Sequence, residues 1–161
     1  MTAVFVAVGG ALAGTIIGAF LTQALQRRNA AYSKLHDARV EAYRTFTAAV
    51  MDYRSALMDR WFATNAGRRP SETENVYTTR SAVWAAYFQV VLVAGDHEIV
   101  ARAERARDVT HELKRAANLD ELDAAGDTSR VAIGRFTDAA RDEVSRVRAR
   151  GPLLRLTTGS N

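Results

Sequence analysis

The side chains best suited to metal or acid–base chemistry in this 161-residue chain are its three histidines, His36, His97 and His111. Two histidines on a helix bind one metal ion when they lie four residues apart, as in HExxH, because both imidazoles then share a face. The three histidines here are not spaced in that way. Asp108 and His111 resemble half of a two-metal carboxylate site, but the sequence contains no second half. We therefore predict exposed histidines, no bound metal and no cofactor.

Nucleophilic chemistry also lacks its sequence signals. The chain contains no cysteine, which excludes a thiolate nucleophile, and its serines have no basic partner nearby in the sequence. It has no phosphate-binding glycine loop, no nucleophile elbow and no dinucleotide-binding motif. These observations predict that the chain is not an enzyme.

Charge is distributed unevenly along the chain. Residues 1–70 carry nine basic and four acidic side chains, 71–129 carry six and eleven, and 130–161 carry seven and three. A nucleic-acid-binding domain concentrates positive charge on one face, whereas this chain is basic at its ends and acidic in its middle. Arginines also lie one helical turn from acidic residues, as Arg102 does from Glu98, which is typical of a solvated helix surface. We therefore do not expect nucleic acid as a partner.

The N-terminal run from Ala3 to Thr22 contains no charged side chain. As a helix rising about 1.5 Å per residue, twenty residues span roughly 30 Å, the thickness of the hydrocarbon core of a bilayer. The run therefore predicts a transmembrane anchor at 1–24. Two alternatives stay open: a cleaved signal peptide, since Ala11-Leu12-Ala13 has the form of a cleavage site, and a buried helix of a soluble domain.

Small residues recur at steps of three and four positions within this run. Such spacing forms a groove on one helix face that lets a second helix approach closely. We predict that the groove packs against another membrane helix or against a second copy of the chain, and that it consists of Ala7, Gly10, Gly14 and Gly18.

Basic residues follow the apolar run but do not precede it. Because Lys and Arg are retained on the cytoplasmic side of a membrane, we predict a cell-membrane protein with its N-terminus outside and its C-terminal domain in the cytoplasm. Six arginines from the two basic ends are predicted to contact the anionic leaflet, the alternative for the C-terminal ones being a solvated terminus. These six are Arg27, Arg28, Arg146, Arg148, Arg150 and Arg155.

Four helices are predicted beyond the anchor. Apolar residues at helical spacing define a first helix that ends at Gly67, and its buried face is Tyr43, Phe46, Val50, Tyr53, Leu57 and Trp61. A second helix, over 71–93, is apolar on more than one face and is predicted to be the most buried. A third begins after Asp96 as its N-cap, and its apolar face is Ile99, Ala103, Ala106, Val109 and Leu113. Residues 118–128 are predicted to form a connection, either without regular structure or with a short helical turn at 120–125, and a fourth helix ends at Gly151-Pro152.

Short connections between such helices favour an antiparallel bundle. The predicted fold is therefore all-α, with an N-terminal transmembrane helix continuing into an antiparallel bundle of about four helices. The predicted organisation is an anchor at 1–24, a helical stalk at 25–40, the bundle at 41–150 and a basic tail at 151–161.

The anchor, its Arg27-Arg28 flank, the residues AYRTF at 42–46 and the residues VAGDHEI at 93–99 together resemble a group of uncharacterised small proteins of actinobacterial type. Those proteins join one N-terminal membrane helix to an arginine-rich helical domain. The resemblance covers most of the chain and implies neither an activity nor site residues.

We expect a single-pass membrane protein that acts by interaction, as an adaptor or an oligomeric accessory protein. Its expected partners are the lipid bilayer, a second copy or another membrane helix, and an unidentified protein. Two alternatives stay open: an exported or soluble helical binding protein whose first segment is removed, and a membrane-bound enzyme.

Overall fold

Helices account for nearly all of the chain that a computed structural model describes. That part comprises the backbone of residues 3–67 and 73–149 and the side chains of residues 33–67 and 75–146. Within it there is no β-strand, so the predicted all-α class is confirmed. A short 3-10 helix, Glu112–Arg115, follows the third of four α-helices, which are α1 (Ala3–Asn65), α2 (Thr73–Val93), α3 (His97–His111) and α4 (Leu119–Ala149).

The chain divides into two compact units, Met1–Asp37 and Ala38–Asn161. Among the residues with described side chains, no helix is both long enough and apolar enough to cross a membrane. The predicted transmembrane run, 3–22, lies outside those residues, as do the side chains of the small-residue groove, Arg27 and Arg28. The anchor and its packing face therefore stay predictions.

The predicted buried face of α1 is confirmed in the second unit. Tyr43, Phe46, Val50, Tyr53 and Leu57 are all buried, because steps of three and four residues keep them on the side that meets the other helices. Trp61 continues this face at the end of α1. It is half-buried, and its indole N–H donates to the carbonyl oxygen of Ala116 at 2.9 Å.

Helices α1, α2 and α3 alternate in direction. The Arg39 guanidinium donates from Nε to the carbonyl oxygen of Val93 at 2.7 Å, which joins the end of α2 to the beginning of α1 in this unit. Helix α3 starts at that same end, and its last residue, His111, contacts Tyr53 further along α1. Helix α2 is therefore antiparallel to both of its neighbours in sequence.

Helix α4 runs antiparallel to α1. Near the start of α4, the carbonyl oxygen of Gly126 accepts a hydrogen bond from Arg54 Nε at 3.4 Å. Ten residues later, Phe136 packs edge-on against Phe46, which precedes Arg54 in α1, with ring centroids 4.8 Å apart. The predicted antiparallel bundle of four helices is confirmed for this unit.

Two predicted helix boundaries are also confirmed. Gly67 follows α1 with φ of +67°, the left-handed conformation that glycine adopts without steric cost at a helix C-terminus. Asp96 caps α3, since its carboxylate accepts from the backbone N–H of Glu98 at 2.9 Å. Such caps satisfy backbone donors that the first turn of a helix leaves unpaired.

The predicted connection over 118–128 is wrong, because α4 already begins at Leu119. Asn118 and Glu121 cap its N-terminus reciprocally: the Glu121 N–H donates to Asn118 Oδ1, and Asn118 Nδ2 donates to Glu121 Oε1, both at 2.9 Å. Leu122 in the first turns is fully buried. The cap and this buried side chain extend the helix through a stretch whose composition resembles a loop.

Candidate functional site

Helix α2 exposes the largest apolar side chains of the bundle, so the prediction that it is the most buried helix is wrong. It buries one face only, through Val76, Val83, Ala86 and Val90. Among the described residues, the apolar side chains on its other side are not covered by another helix, apart from the contact of Arg107 with Trp84. We call them the α2 surface, which consists of Tyr77, Trp84, Phe88, Val91 and Leu92, with exposed fractions of 62%, 39%, 55%, 42% and 83%.

Two aromatic members of the α2 surface, Trp84 and Phe88, pack against each other and against Tyr87, a half-buried residue that borders the surface. Trp84 lies 5.8 Å from Phe88 and 6.0 Å from Tyr87, and Tyr87 lies 5.6 Å from Phe88, measured between ring centroids. These separations are those of favourable aromatic pairs. The rings therefore hold one another in place on an exposed helix face.

Arg107 of α3 fixes this cluster from one side. Its guanidinium carbon lies 4.2 Å from the Trp84 ring centroid and 4.6 Å from that of Tyr87, a cation–π geometry. The same guanidinium pairs with Asp108 at 2.7 Å and with Glu104 at 3.3 Å. The positive charge beside the aromatic rings is thus balanced by two carboxylates of the same helix.

The α2 surface has the composition of a protein-binding site. Trp, Tyr and Arg are the residues most enriched at the energetic centres of protein interfaces. Exposed contiguous apolar patches mark interaction sites in soluble domains. Residues 81–93 contain no acidic or basic side chain, so they offer a partner apolar area and shape rather than ion pairs.

His36 and His111 are half-buried rather than exposed, which corrects the prediction for these two histidines, whereas His97 is exposed. The Lys114 ammonium can only donate, so His111 Nε2 accepts its hydrogen bond, and in the neutral ring Nδ1–H donates to Tyr53 Oη at 2.6 Å. Burial, and then the positive charges of Lys114 and Arg80, lower the pKa of His111 below its ordinary value of 6.5.

Both nitrogens of the His111 ring are thus occupied by protein groups. Within the part of the chain whose side chains are described, no three His, Cys, Asp or Glu residues converge on a point where a metal ion could bind. Asp108 and His111 resemble half of a two-metal site in the sequence, but in the structure the Asp108 carboxylate pairs with Arg107. The contact between His111 and Tyr53 joins the end of α3 to α1.

A buried polar network closes the opposite end of the bundle. Tyr43 donates its hydroxyl to Glu143 Oε2, and the Gly95 N–H donates to Glu143 Oε1 at 2.8 Å. Arg39 lies 3.7 Å from the same carboxylate and also binds the Val93 carbonyl. Burial, followed by the hydrogen bond to Glu143, raises the pKa of Tyr43 above its ordinary value.

Sequence reasoning misses this network because its members lie far apart in the chain, with Tyr43 and Glu143 separated by 100 residues. The only local signal is that Glu143 falls on the apolar face of the last helix, three residues after Ala140. Each carboxylate oxygen of Glu143 already accepts a hydrogen bond, so the network holds helices together and leaves its acid engaged within the protein.

The arginines predicted to contact a membrane are described only in part. Arg146 is exposed on α4, and its Nε donates to the backbone oxygen of Asp142 at 3.3 Å. The side chains of the other five lie outside the described residues. Their contact with a leaflet stays a prediction.

Residues 40–144 match the model of a family described as KilB plasmid transfer protein. This match covers well over half of the chain. The chain belongs to the KilB plasmid transfer protein family. No curated protein and no solved structure gives a significant match to it. The KilB match contains the whole α2 surface, Arg107 and both His111 and Glu143, while the predicted anchor and basic tail lie outside it.

Proposed function

We propose that this chain acts in plasmid transfer as a membrane-anchored helical protein that docks a protein partner through the α2 surface. The family description supplies the process. The single observation that carries the docking role is the exposed aromatic cluster of Trp84 and Phe88, held in place by Arg107. Leu92, more than four-fifths exposed, extends the cluster toward the end of the helix.

The α2 surface is preorganised for binding. Large side chains that are already fixed in the free protein lose little conformational entropy when a partner arrives. The stacking of Arg107 on Trp84 and Tyr87 supplies this order without covering the outer side of the rings. A partner with an apolar helix or groove therefore gains the burial of the surface at low entropic cost.

The membrane part of the proposal is supported by the sequence. The uncharged run over 3–22 is long enough to span a bilayer as a helix, with the N-terminus outside and the bundle in the cytoplasm. In this arrangement the groove at Gly10, Gly14 and Gly18 packs against another membrane helix. The anchor would concentrate the α2 surface near the membrane, where transfer of a plasmid between cells takes place.

The docking role is tested by transfer frequency in matings with a plasmid that encodes the chain. We expect Leu92→Glu to lower the frequency by about tenfold or more, since burying a carboxylate costs well over the ~1.4 kcal/mol that a tenfold loss of binding represents. Val131→Glu is the matched control, because Val131 is also exposed and apolar but lies on α4. Equal transfer by both variants at equal protein levels would overturn the proposal.

A further inference from the structure

We infer that the partner of the α2 surface is the α2 surface of a second copy of this chain, packed antiparallel about a two-fold axis near Phe88. This inference rests on the proposed function and names the occupant of its docking site. Three properties of the surface carry it: the symmetric order of its side chains, its lack of charge and its area.

The order of side chains along α2 is symmetric about Phe88. Trp84 and Leu92 lie four residues before and after it, on the same side of the helix, and both are exposed. In a two-fold interface, residue i of one copy meets residue j of the other, and j meets i. An antiparallel pair of α2 helices centred on Phe88 therefore places each Trp84 against Leu92 of the second copy and the two Phe88 rings together.

The smaller residues of the helix fit this arrangement. Ala85, which is exposed, lies three residues before Phe88, and a small side chain beside a large one leaves a depression on the helix surface. In the antiparallel pair this depression faces Leu92 of the second copy, because Ala85 and Leu92 lie on the same flank of Phe88. Alternation of large and small side chains is what lets two helices interlock.

The charge of the surface allows two copies to approach. Residues 81–93 carry no acidic or basic side chain, so like charges do not face each other across the axis. Like charges that face each other across an interface cost several kcal/mol of binding free energy. Arg107 is balanced by Asp108 and Glu104. A lipid surface is less well matched, because anionic headgroups are recognised by clustered basic residues and Arg80 is the only basic residue of α2.

The area is that of a small dimer contact. Tyr77 lies eleven residues before Phe88, whereas α2 ends five residues after it at Val93, so the helix of the second copy can cover four members of the α2 surface. These four are between 39% and 83% exposed. A fully covered aromatic side chain buries about 150–250 Å², so their exposed area is on the order of 450 Å² per copy. A symmetric contact then buries roughly 900 Å², the size of a weak or transient interface.

The chain contains no cysteine, which makes disulfide cross-linking of the full-length protein a direct test. The cross-linking is performed on membranes isolated from the host cells, with copper(II) phenanthroline added as the oxidant, because the cytoplasm keeps thiols reduced. We expect Phe88→Cys to form a disulfide-linked band at twice the monomer mass, several-fold more intense than the band from Val131→Cys. Trp84→Cys and Leu92→Cys chains expressed together with different tags should cross-link to each other more than either does to itself. This second measurement keeps Phe88 intact, in case its replacement weakens the contact.

Cross-linking of Phe88→Cys no stronger than that of Val131→Cys, together with no mixed band from the Trp84→Cys and Leu92→Cys chains, would overturn the dimer. Bands to a different protein, or retention by lipid vesicles without a dimer band, would overturn it as well. The two hypotheses fail separately. If Leu92→Glu loses transfer and the cysteine variants do not cross-link, the dimer is refuted and the docking role stands. If the cysteine variants cross-link and Leu92→Glu transfers normally, the docking role is refuted and the dimer stands.

Discussion

At the scale of single residues, Glu143 shows how one buried carboxylate can hold three helix segments. It accepts hydrogen bonds from Tyr43 on α1 and from the backbone of Gly95 between α2 and α3, and it lies beside Arg39. A buried acid is costly unless its oxygens are paired, and here both are. The network also confines Gly95, because Arg39 and Glu143 occupy the space where a side chain would be.

Replacing Gly95 by alanine should destabilise the bundle. The new Cβ would lie 2.6 Å from Arg39 Nη2 and 2.8 Å from Glu143 Oε1, so either the ion pair or the turn must move. We expect the free energy of unfolding to fall by about 1–3 kcal/mol, measured by urea denaturation followed by circular dichroism. Gly134→Ala is the matched control: its Cβ meets no atom within 4 Å, and a helical alanine stabilises by about 0.5–1 kcal/mol. Equal effects of both variants would contradict this role for the network.

At the scale of helices, the sequence predicts the buried face of a helix where apolar residues recur at steps of three and four. The apolar faces of α1 and α3 and the Asp96 cap followed from local pattern alone. The start of α4 did not, because Gly126 and the acidic residues near it are typical of loops, and the burial of Leu122 that extends the helix is a tertiary contact.

The candidate site was the least predictable feature for a related reason. A helix that is apolar on two faces is expected to be buried on both, and this pattern alone cannot say whether the second face is covered by the same chain or by another molecule. The prediction that the helix over 71–93 is the most buried therefore fails at Trp84 and Phe88. Both are exposed because, among the described residues, the bundle supplies neighbouring helices for one face of α2.

The contact between α3 and α1 should make stability depend on pH. Because the pKa of His111 is lower in the folded protein than its ordinary 6.5, the unfolded chain binds the extra proton first. The contribution of His111 is therefore fully present above pH 6.5 and is lost as pH falls through its folded pKa. We expect the free energy of unfolding to decrease as the pH falls below 6.5, and His111→Gln to reduce this slope. His97→Gln, at an exposed position, is the control, and an unchanged slope in His111→Gln would refute the assignment.

At the scale of the whole molecule, the proposal joins an apolar N-terminal run to a bundle with a docking surface. The family match covers the bundle and stops short of the run. The two parts are therefore supported by different observations. The family match and the structure support the bundle, whereas the length and composition of residues 3–22 support the anchor. They can be tested apart.

Fractionation tests the anchor. The full-length chain should remain in the membrane pellet after a carbonate wash, because twenty uncharged residues partition into the bilayer. Gly14→Arg, which places a charge at the centre of the run at a cost of about 2.5–3.5 kcal/mol, should move a substantial fraction into the supernatant. A soluble mature species that begins near Gly14 would instead identify the run as a signal peptide.

The central claim is that the α2 surface is the part of this chain through which it acts in plasmid transfer. The most direct measurement is the ratio of transfer frequencies between Leu92→Glu and Val131→Glu in the full-length chain, at equal protein levels. Both residues are exposed, so neither change disturbs the core. The account predicts a ratio of about one tenth or less; a ratio of one would contradict it.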